Sequence, residues 1–544
     1  MGFAAPAVWY NARAQTDGAR PGETSLNPQS PTEQQRPNVV FFMVDQLSMK
    51  WLEGAAAAAV PTPNIDALRQ AGTTFVNAFT SNPLCCPARA TLATGLTTRQ
   101  HGVFQNGYEL NPALPTFMRL LRMTGWRTGA FGKVHLRSHY HGVHPDYTAY
   151  GYHVVRNTED PRAGEWLDWV AEQHPEHLDT ALSCIWSTEI PELRRYGPDG
   201  EDLRPRILAA RERFGAAGRP HGNFTLPFPE GVSQTAWITA GAVEFIRTTP
   251  AETPLHAHVS YVQPHSPFCP PAEFMELVDE SAIPAPIEPE WVPDPRQPAC
   301  FAASEGAHTE IPSDWRQYRK FYLADVAHLD AQLGKVVEAL KAAGRWESTY
   351  LFFLSDHGEL LLDHGFTGKG ERHYDASVRV PLIIAGPGVR AAATCEAFVQ
   401  LEDIVPTVLE ITRLPAPTLP VGGVFQHVEP SALPGRSLMG FCRGEAPDGW
   451  RDAVYIESYN NLRTNDPREW ARTVRGRHWR YTYYPAGGGE QLFCLAEDPD
   501  ETRNLAYEDD GAEVRDGLRA CLLEAVILQD HPHPPRSLFQ LGVH

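Results

Sequence analysis

Unbroken apolar stretches set the frame of this chain. Val39-Val40-Phe41-Phe42-Met43-Val44 runs up to Asp45. Tyr350-Leu351-Phe352-Phe353-Leu354 runs up to Ser355-Asp356-His357-Gly358, and Val380-Pro381-Leu382-Ile383-Ile384-Ala385 up to Gly386-Pro387-Gly388. A strand with one wet face alternates apolar and polar residues. These stretches do not alternate, so each predicts a strand covered on both faces. The clearest helical periodicity runs from Phe321 to Ala343, with Leu329, Leu333, Val336, Val337 and Leu340 on one face. Strands separated by helical stretches predict an α/β fold with a large, mainly parallel sheet flanked by helices. Ligands of such sheets sit beyond the C-terminal strand ends. Asp45, Asp356 and His357 fall there.

The texture changes towards both termini. Residues 1–36 are rich in Pro, Gln, Gly and Thr and read as an arm without a core of its own. Residues 37–434 read as one large domain, with insertions near 146–231 and 270–315. The second insertion is proline-rich and reads as a surface excursion. Residues 435–544 read as a small α+β domain. Ala453 to Ile456, Trp479 to Tyr484 and Leu492 to Leu495 predict strands, Gly487-Gly488-Gly489 a turn, and Ala512 to Leu528 a helix.

Length and charge narrow the function classes. The chain has 544 residues, 42% of them hydrophobic, which suits one large domain and a smaller one. The formal charge of -19 and the lack of a basic patch argue against a nucleic-acid partner. Long-range repulsion of an anionic substrate must then be met by local cations. Nine cysteines without paired spacing predict no disulfide framework. Neither a signal peptide nor a membrane span is visible, so a cytoplasmic protein without a membrane partner is expected.

The densest chemistry lies in Cys85-Cys86-Pro87-Ala88-Arg89, closed by Thr94-Gly95. By residue type alone, Cys85 fits a small buried side chain or a thiolate at a helix start. The arginine of a cysteine phosphatase is missing, since Thr91 and Leu92 occupy its place. A helix beginning around Ala88 would turn free N–H groups towards an anion beside Cys85.

Cysteine, any residue, proline, any residue, arginine is the signal read by the machinery that oxidises cysteine to formylglycine. With it, in order, come Asn38 to Asp45, Pro63 to Leu68, Gly132-Lys133-Val134-His135, Pro264-His265-Ser266-Pro267, Asp356-His357-Gly358-Glu359, Lys369 and Arg379-Val380-Pro381. Leu492 to Leu495, Asp498-Pro499 and Asn504-Leu505 follow. From Pro37 to Ala506 the chain thus resembles the type-I, formylglycine-dependent sulfatases of the alkaline phosphatase superfamily. The resemblance implies an alkaline phosphatase-like fold and hydrolysis of sulfate esters, in the manner of an arylsulfatase. It also implies a nucleophile made from Cys85 by a formylglycine-generating maturation enzyme. The hydrated aldehyde would attack sulfur and form a covalent sulfo-enzyme, splitting one hard displacement into two steps. Arg89 would hold the hydrate, and Lys133 and Lys369 would grip the sulfate oxygens. His135 would take a proton from the intermediate, and His265 would help the leaving oxygen with Lys369. Asp45, Gln46, Asp356 and His357 would bind one divalent ion, calcium first and manganese as the alternative.

Two departures bear on substrate. Gln46 and His357 stand where many sulfatases have aspartate and asparagine. This pair resembles phosphonate monoester hydrolases, so phosphonate monoester or phosphodiester hydrolysis at the same site is the rival reading. Ala88 replaces a serine common in relatives. An inactive binding relative is a further alternative, opposed by the completeness of the set. Asn106 is an additional candidate for the site, while His101, His364 and His373 read as structural. The substrate is expected to be a small molecule, and the N-terminal arm suits a homo-oligomer.

Overall fold

The computed structural model describes residues 36–529 except 139–141, 186, 215–222, 227, 293, 295, 305, 418–432 and 460–465. The arm expected over residues 1–36 lies outside the described residues apart from Arg36.

Eight strands form the main sheet: β1 (Asn38–Val44), β2 (Gly72–Phe75), β3 (Arg127–Gly132), β4 (Val154–Asn157), β5 (Leu255–Ser260), β6 (Thr349–Ser355), β7 (Leu382–Ala385) and β8 (Ala393–Cys395). Their order is β4-β3-β5-β1-β6-β7-β2-β8. The expected two-sided burial of β1 is literal. Val40, Phe42 and Val44 enter one core, while Val39, Phe41 and Met43 enter the other. Alternate residues of a strand point to opposite faces, so only an apolar run can serve both cores. In β6, Leu351 and Phe353 face the first core and Phe352 and Leu354 the second.

Helices cover both faces. The helix of Gln234–Thr248 and the long helix of Trp315–Ala342 pack on the first core. The helix of Cys85–Thr94 and that of Ile404–Thr412 pack on the second. The third apolar run departs from the parallel expectation: β7 is antiparallel to both β6 and β2. The chain between β6 and β7 winds round one end of the sheet and re-enters there, so β7 must run back. β5 begins at Leu255, earlier than its apolar residues advertise, because His256 and His258 are buried inside it.

The last described part holds an antiparallel sheet of β9 (Ala453–Tyr459), β10 (Trp470–Gly476), β11 (Trp479–Tyr484) and β12 (Gly489–Cys494). The helix of Ala512–Gln529 covers it, with Leu522 and Ala525 buried against Tyr455, Val474, Tyr481 and Leu492. Residues 270–315 are irregular, as expected, but their centre is not a loose excursion. Trp291 stacks on Phe366 at 5.0 Å and donates Nε1–H to the His364 carbonyl at 2.6 Å. Trp291 and Phe301 share a core with Tyr484 and Phe493 of the small sheet. Among the described residues no helix is long and apolar enough to cross a membrane.

Candidate active site

Five neighbouring strands, β4-β3-β5-β1-β6, run parallel and end at the same edge. Beyond β1 come Asp45 and Gln46, and beyond β6 Asp356 and His357. Lys133 and His135 follow β3, His265 follows β5, and Asp160 follows β4. The helix of Cys85–Thr94 brings its first turn to this edge. It starts at Cys85 rather than near Ala88, because Pro87 lies in the first turn, where a missing N–H costs nothing. Asn106 does reach this turn: its Oδ1 accepts the Cys86 N–H at 3.0 Å.

Arg89 organises the centre. Its Nε donates to Asp356 at 2.8 Å and Nη2 to Asp45 at 3.2 Å. Nη1 donates to the Lys133 carbonyl at 2.7 Å and to Ser260 Oγ at 2.9 Å. All these side chains are buried. Lys133 pairs with Asp45 and Asp160. Burial alone would raise the Asp45 carboxyl, but Lys133, Lys369 and Arg89 together hold it far below the usual range. Burial would lower the Lys133 ammonium, yet Asp160 and Asp45 raise it above its ordinary value.

Position 85 sits among these charges. Its sulfur is 3.1 Å from His357 Nε2, 3.2 Å from Lys369 Nζ and 3.9 Å from Asp45 Oδ1. Burial, with the Asp45 charge second, pushes the thiol up to about 11. A neutral thiol is a poor nucleophile, so the thiolate alternative loses ground. Cys86 points elsewhere, with its sulfur on the Tyr108 carbonyl at 3.2 Å.

The donor set fits a divalent cation. An oxygen each of Asp45 and Asp356, His357 Nε2 and the Cys85 sulfur all lie within 4.8 Å of one another. The Gly358 carbonyl accepts the His357 Nδ1–H at 3.0 Å, which leaves Nε2 as a lone-pair donor facing both carboxylates at 3.7 Å. Burial lowers this imidazole to about 4, keeping it neutral. Gln46, in a left-handed conformation, turns Oε1 to Lys369 and Nε2 to Glu359.

Lys133 and His135 lie beyond the end of β3, so strand alternation does not set their sides. β3 ends at Gly132 with φ +88°, and His135 has φ +49°. Both still converge on Asp160, 3.9 Å from His135 Nδ1. A Cβ on Gly132 would stand 1.9 Å from the Ser260 carbonyl oxygen, so only glycine allows this turn. His265 is partly exposed in the cleft. Its Nδ1–H is given to the Ser266 carbonyl at 2.7 Å, so the neutral ring presents an acceptor at Nε2. Desolvation of the ring, then the Lys369 charge, lowers its basicity well below the ordinary value. In this state the His265 ring has no N–H left to offer the cleft.

His101, His364 and His373 serve the scaffold. They bond Thr91 at 3.1 Å, Glu290 at 2.9 Å, and Thr473 and Ser458 at 2.8 and 3.1 Å. Two buried carboxylates escaped the sequence reading. Asp160 follows a strand end, the same signal as Asp45, but β4 is a Val-Val-Arg-Asn segment too short to stand out. Glu359 closes the Asp356-His357-Gly358-Glu359 stretch, where residue order alone gives a buried glutamate no task.

A parallel sheet ending in carboxylates and imidazole, beside a helix N-terminus ringed by lysines and arginine, defines an alkaline phosphatase-like hydrolase of anionic esters. The chain belongs to the sulfatase family, the sulfuric ester hydrolases: the Sulfatase family model matches residues 37–414. The model described as N-sulphoglucosamine sulphohydrolase, C-terminal, matches residues 363–527. An arylsulfatase of Clostridium perfringens is 25% identical over 90% of this chain and 94% of its own. Arylsulfatase K of Gallus gallus is 27% identical over 88% of this chain and 81% of its own. The crystal structure of the phosphonate monoester hydrolase of Agrobacterium radiobacter superposes with a TM-score of 0.70 at 26% identity, covering 91% of this chain and 96% of that one.

Proposed function

We propose that this sulfatase is arylsulfatase-like, acting on small sulfate esters with a formylglycine at position 85 and one divalent cation. The observation that carries the reading is the position of Cys85. It opens a helix, in register with Pro87 and Arg89, 3.2 Å from Lys369 and 3.1 Å from His357. Oxidised and hydrated, residue 85 would supply an oxygen nucleophile where the sulfur now lies. Asp45, Gln46, Asp356 and His357 would hold the cation, which would supply positive charge opposite the ester oxygens. The oxygen-rich donor set suits calcium, and its imidazole suits manganese.

The chain's own groups then divide the work. Arg89 orients Asp45 and Asp356, and with Lys133 and Lys369 it keeps Asp45 ionised. Lys133 and Lys369 bind the ester anion. Lys369 protonates the departing oxygen, with His265 beside it, and His135 accepts a proton on the return step.

A second reading, phosphonate monoester or phosphodiester hydrolysis, is favoured by Gln46 and His357 and by the likeness to the Agrobacterium enzyme. A formylglycine-generating partner, cytoplasmic residence and a homo-oligomer belong to the same proposal. The deciding experiment is a peptide mass spectrum across Cys85 to Arg89 on protein made with maturation machinery, paired with turnover of aryl sulfate and phenyl phosphonate esters. Aldehyde at 85 with faster sulfate turnover is expected. An intact thiol in active enzyme would sink the aldehyde route, and faster phosphonate turnover would favour the second reading.

A further inference from the structure

The turn that carries His135 hangs on one carboxylate oxygen. β3 pairs with β4 as far as Gly132 and Asn157, and with β5 as far as Gly132 and Ser260. Beyond these pairs the Lys133 N–H still reaches the Ser260 carbonyl at 2.8 Å. The next two N–H groups, of Val134 and His135, are both given to Glu159 Oε1, at 3.2 and 3.1 Å. Tyr147, fully buried, donates its hydroxyl to the same oxygen at 2.6 Å. Glu159 is 2% exposed and stands two residues past the end of β4. Its oxygen takes the place that strand carbonyls would fill if β4 ran on beside the turn.

This hold matters because His135 has φ +49°. A residue with a side chain enters the left-handed region at a cost, and stays there only where its surroundings impose it. A buried N–H also needs an acceptor. Glu159 answers both needs for the two residues that end the turn. Lys133 is fixed by other means: its N–H is on Ser260, its carbonyl accepts from Arg89, and its ammonium pairs with Asp45 and Asp160. Losing Glu159 would therefore release His135 and spare the anion-binding lysine.

We propose that Glu159 is a positioning residue for the return step, fixing the backbone that carries His135. The inference rests on the two-step reading above, in which His135 accepts a proton after the first product has left. It does not depend on the choice between sulfate and phosphonate. Glu159 acts through the backbone of the turn and not on the substrate.

The test compares matured, metal-loaded wild type with two variants. Glu159→Met keeps the bulk and loses the acceptor; Glu159→Gln keeps an acceptor oxygen. Amide hydrogen exchange of residues 133–136 should quicken about tenfold or more in Glu159→Met and stay near wild type in Glu159→Gln. The second readout is steady-state turnover of 4-nitrophenyl sulfate. A slower return step lowers kcat and KM by the same factor, because it follows departure of the first product. Glu159→Met should lower both about 10- to 100-fold and leave kcat/KM within about threefold of wild type. Glu159→Gln should restore most of the loss. An unfolded or unmatured fraction would instead lower kcat with KM unchanged. Should Glu159→Met fail to fold, Glu159→Asp, which draws the oxygen back by one methylene, carries the same expectation. Unchanged amide exchange, or a fall in kcat with KM unchanged, would overturn the proposal. A wild type that prefers 4-nitrophenyl phenylphosphonate would sink the sulfate reading and leave the inference standing, if the same split appears on that ester. A wild type that turns over neither ester would sink both.

Discussion

Lys369 places its ammonium 3.2 Å from the Cys85 sulfur across 284 residues of chain. The same ammonium contacts Gln46. It therefore touches both the proposed nucleophile and one of the proposed metal ligands.

Lys369→Ala should lower kcat by about 10²–10⁴, as expected for loss of a general acid. The loss should grow as the leaving alcohol becomes more basic. His265→Ala should show a weaker dependence, because its Nε2 carries no proton in the resting state. Rates for a series of substituted phenyl sulfates check this. Equal slopes for both variants would mean that the two act as one unit.

Arg89 links two buried carboxylates, so its removal strands both. Arg89→Ala should destabilise the metal-free protein by about 3–5 kcal/mol, the cost of leaving buried charge uncompensated. Urea denaturation of the two proteins measures it. A change below about 1 kcal/mol would mean that Lys133 and Lys369 suffice. Arg89→Ala should also lower conversion of Cys85, visible by mass spectrometry.

Removing the cation should abolish turnover and lower the melting temperature, since a ligand bound only by the folded state adds to its stability. Calorimetry should find one high-affinity site per chain. Asp356→Asn should weaken it strongly, while His364→Ala, outside the cluster, should leave affinity unchanged. Retained activity after exhaustive chelation would contradict the ligand assignment.

Acid should weaken the fold in two stages. Burial lowers His256 and His357 to about 4. Between about pH 6.5 and 4 the unfolded chain binds the proton and the folded one does not, so stability falls as pH falls. Each such group contributes on the order of 3 kcal/mol over that window. Below about pH 4 Asp45 adds to the loss, because its depressed carboxyl stabilises the fold only while the unfolded form would be ionised. His256→Phe should flatten the upper stage, read as the urea midpoint against pH. An unaltered slope would falsify this account.

Gly132→Ala meets the Ser260 carbonyl and a positive φ at once. It should cost more than about 2 kcal/mol and should depress kcat even at temperatures where the protein stays folded, since Lys133 follows directly. Activity at wild-type level in a folded variant would show that the β3 end tolerates the shift.

Much was legible from residue order because the chemistry obeys local rules. An apolar run serving two cores can only be a central strand, so β1 and β6 and the carboxylates at their ends were readable. The spacing of Cys85, Pro87 and Arg89 is a contiguous signal and needs no fold to be seen. β5 was legible only in part, because His256 and His258 interrupt its apolar pattern while being as buried as their neighbours. The reversal of β7 is a matter of which end of the sheet the chain re-enters, and a run of apolar residues has no direction.

Residue types, motif order and the two-sided strands thus belong to the sequence, since each follows from neighbours along the chain. The partnerships belong to the tertiary structure. Lys133 bridges Asp45 and Asp160, and Arg89 divides itself between two strand ends. His265 Nδ1–H is held by the local Ser266 carbonyl, while Lys369 meets both Cys85 and Gln46. Such balances depend on distances of a few ångströms between residues tens to hundreds of positions apart. Those distances exist only once the parallel strands have aligned their ends, and charge energies in a buried site change steeply over that range.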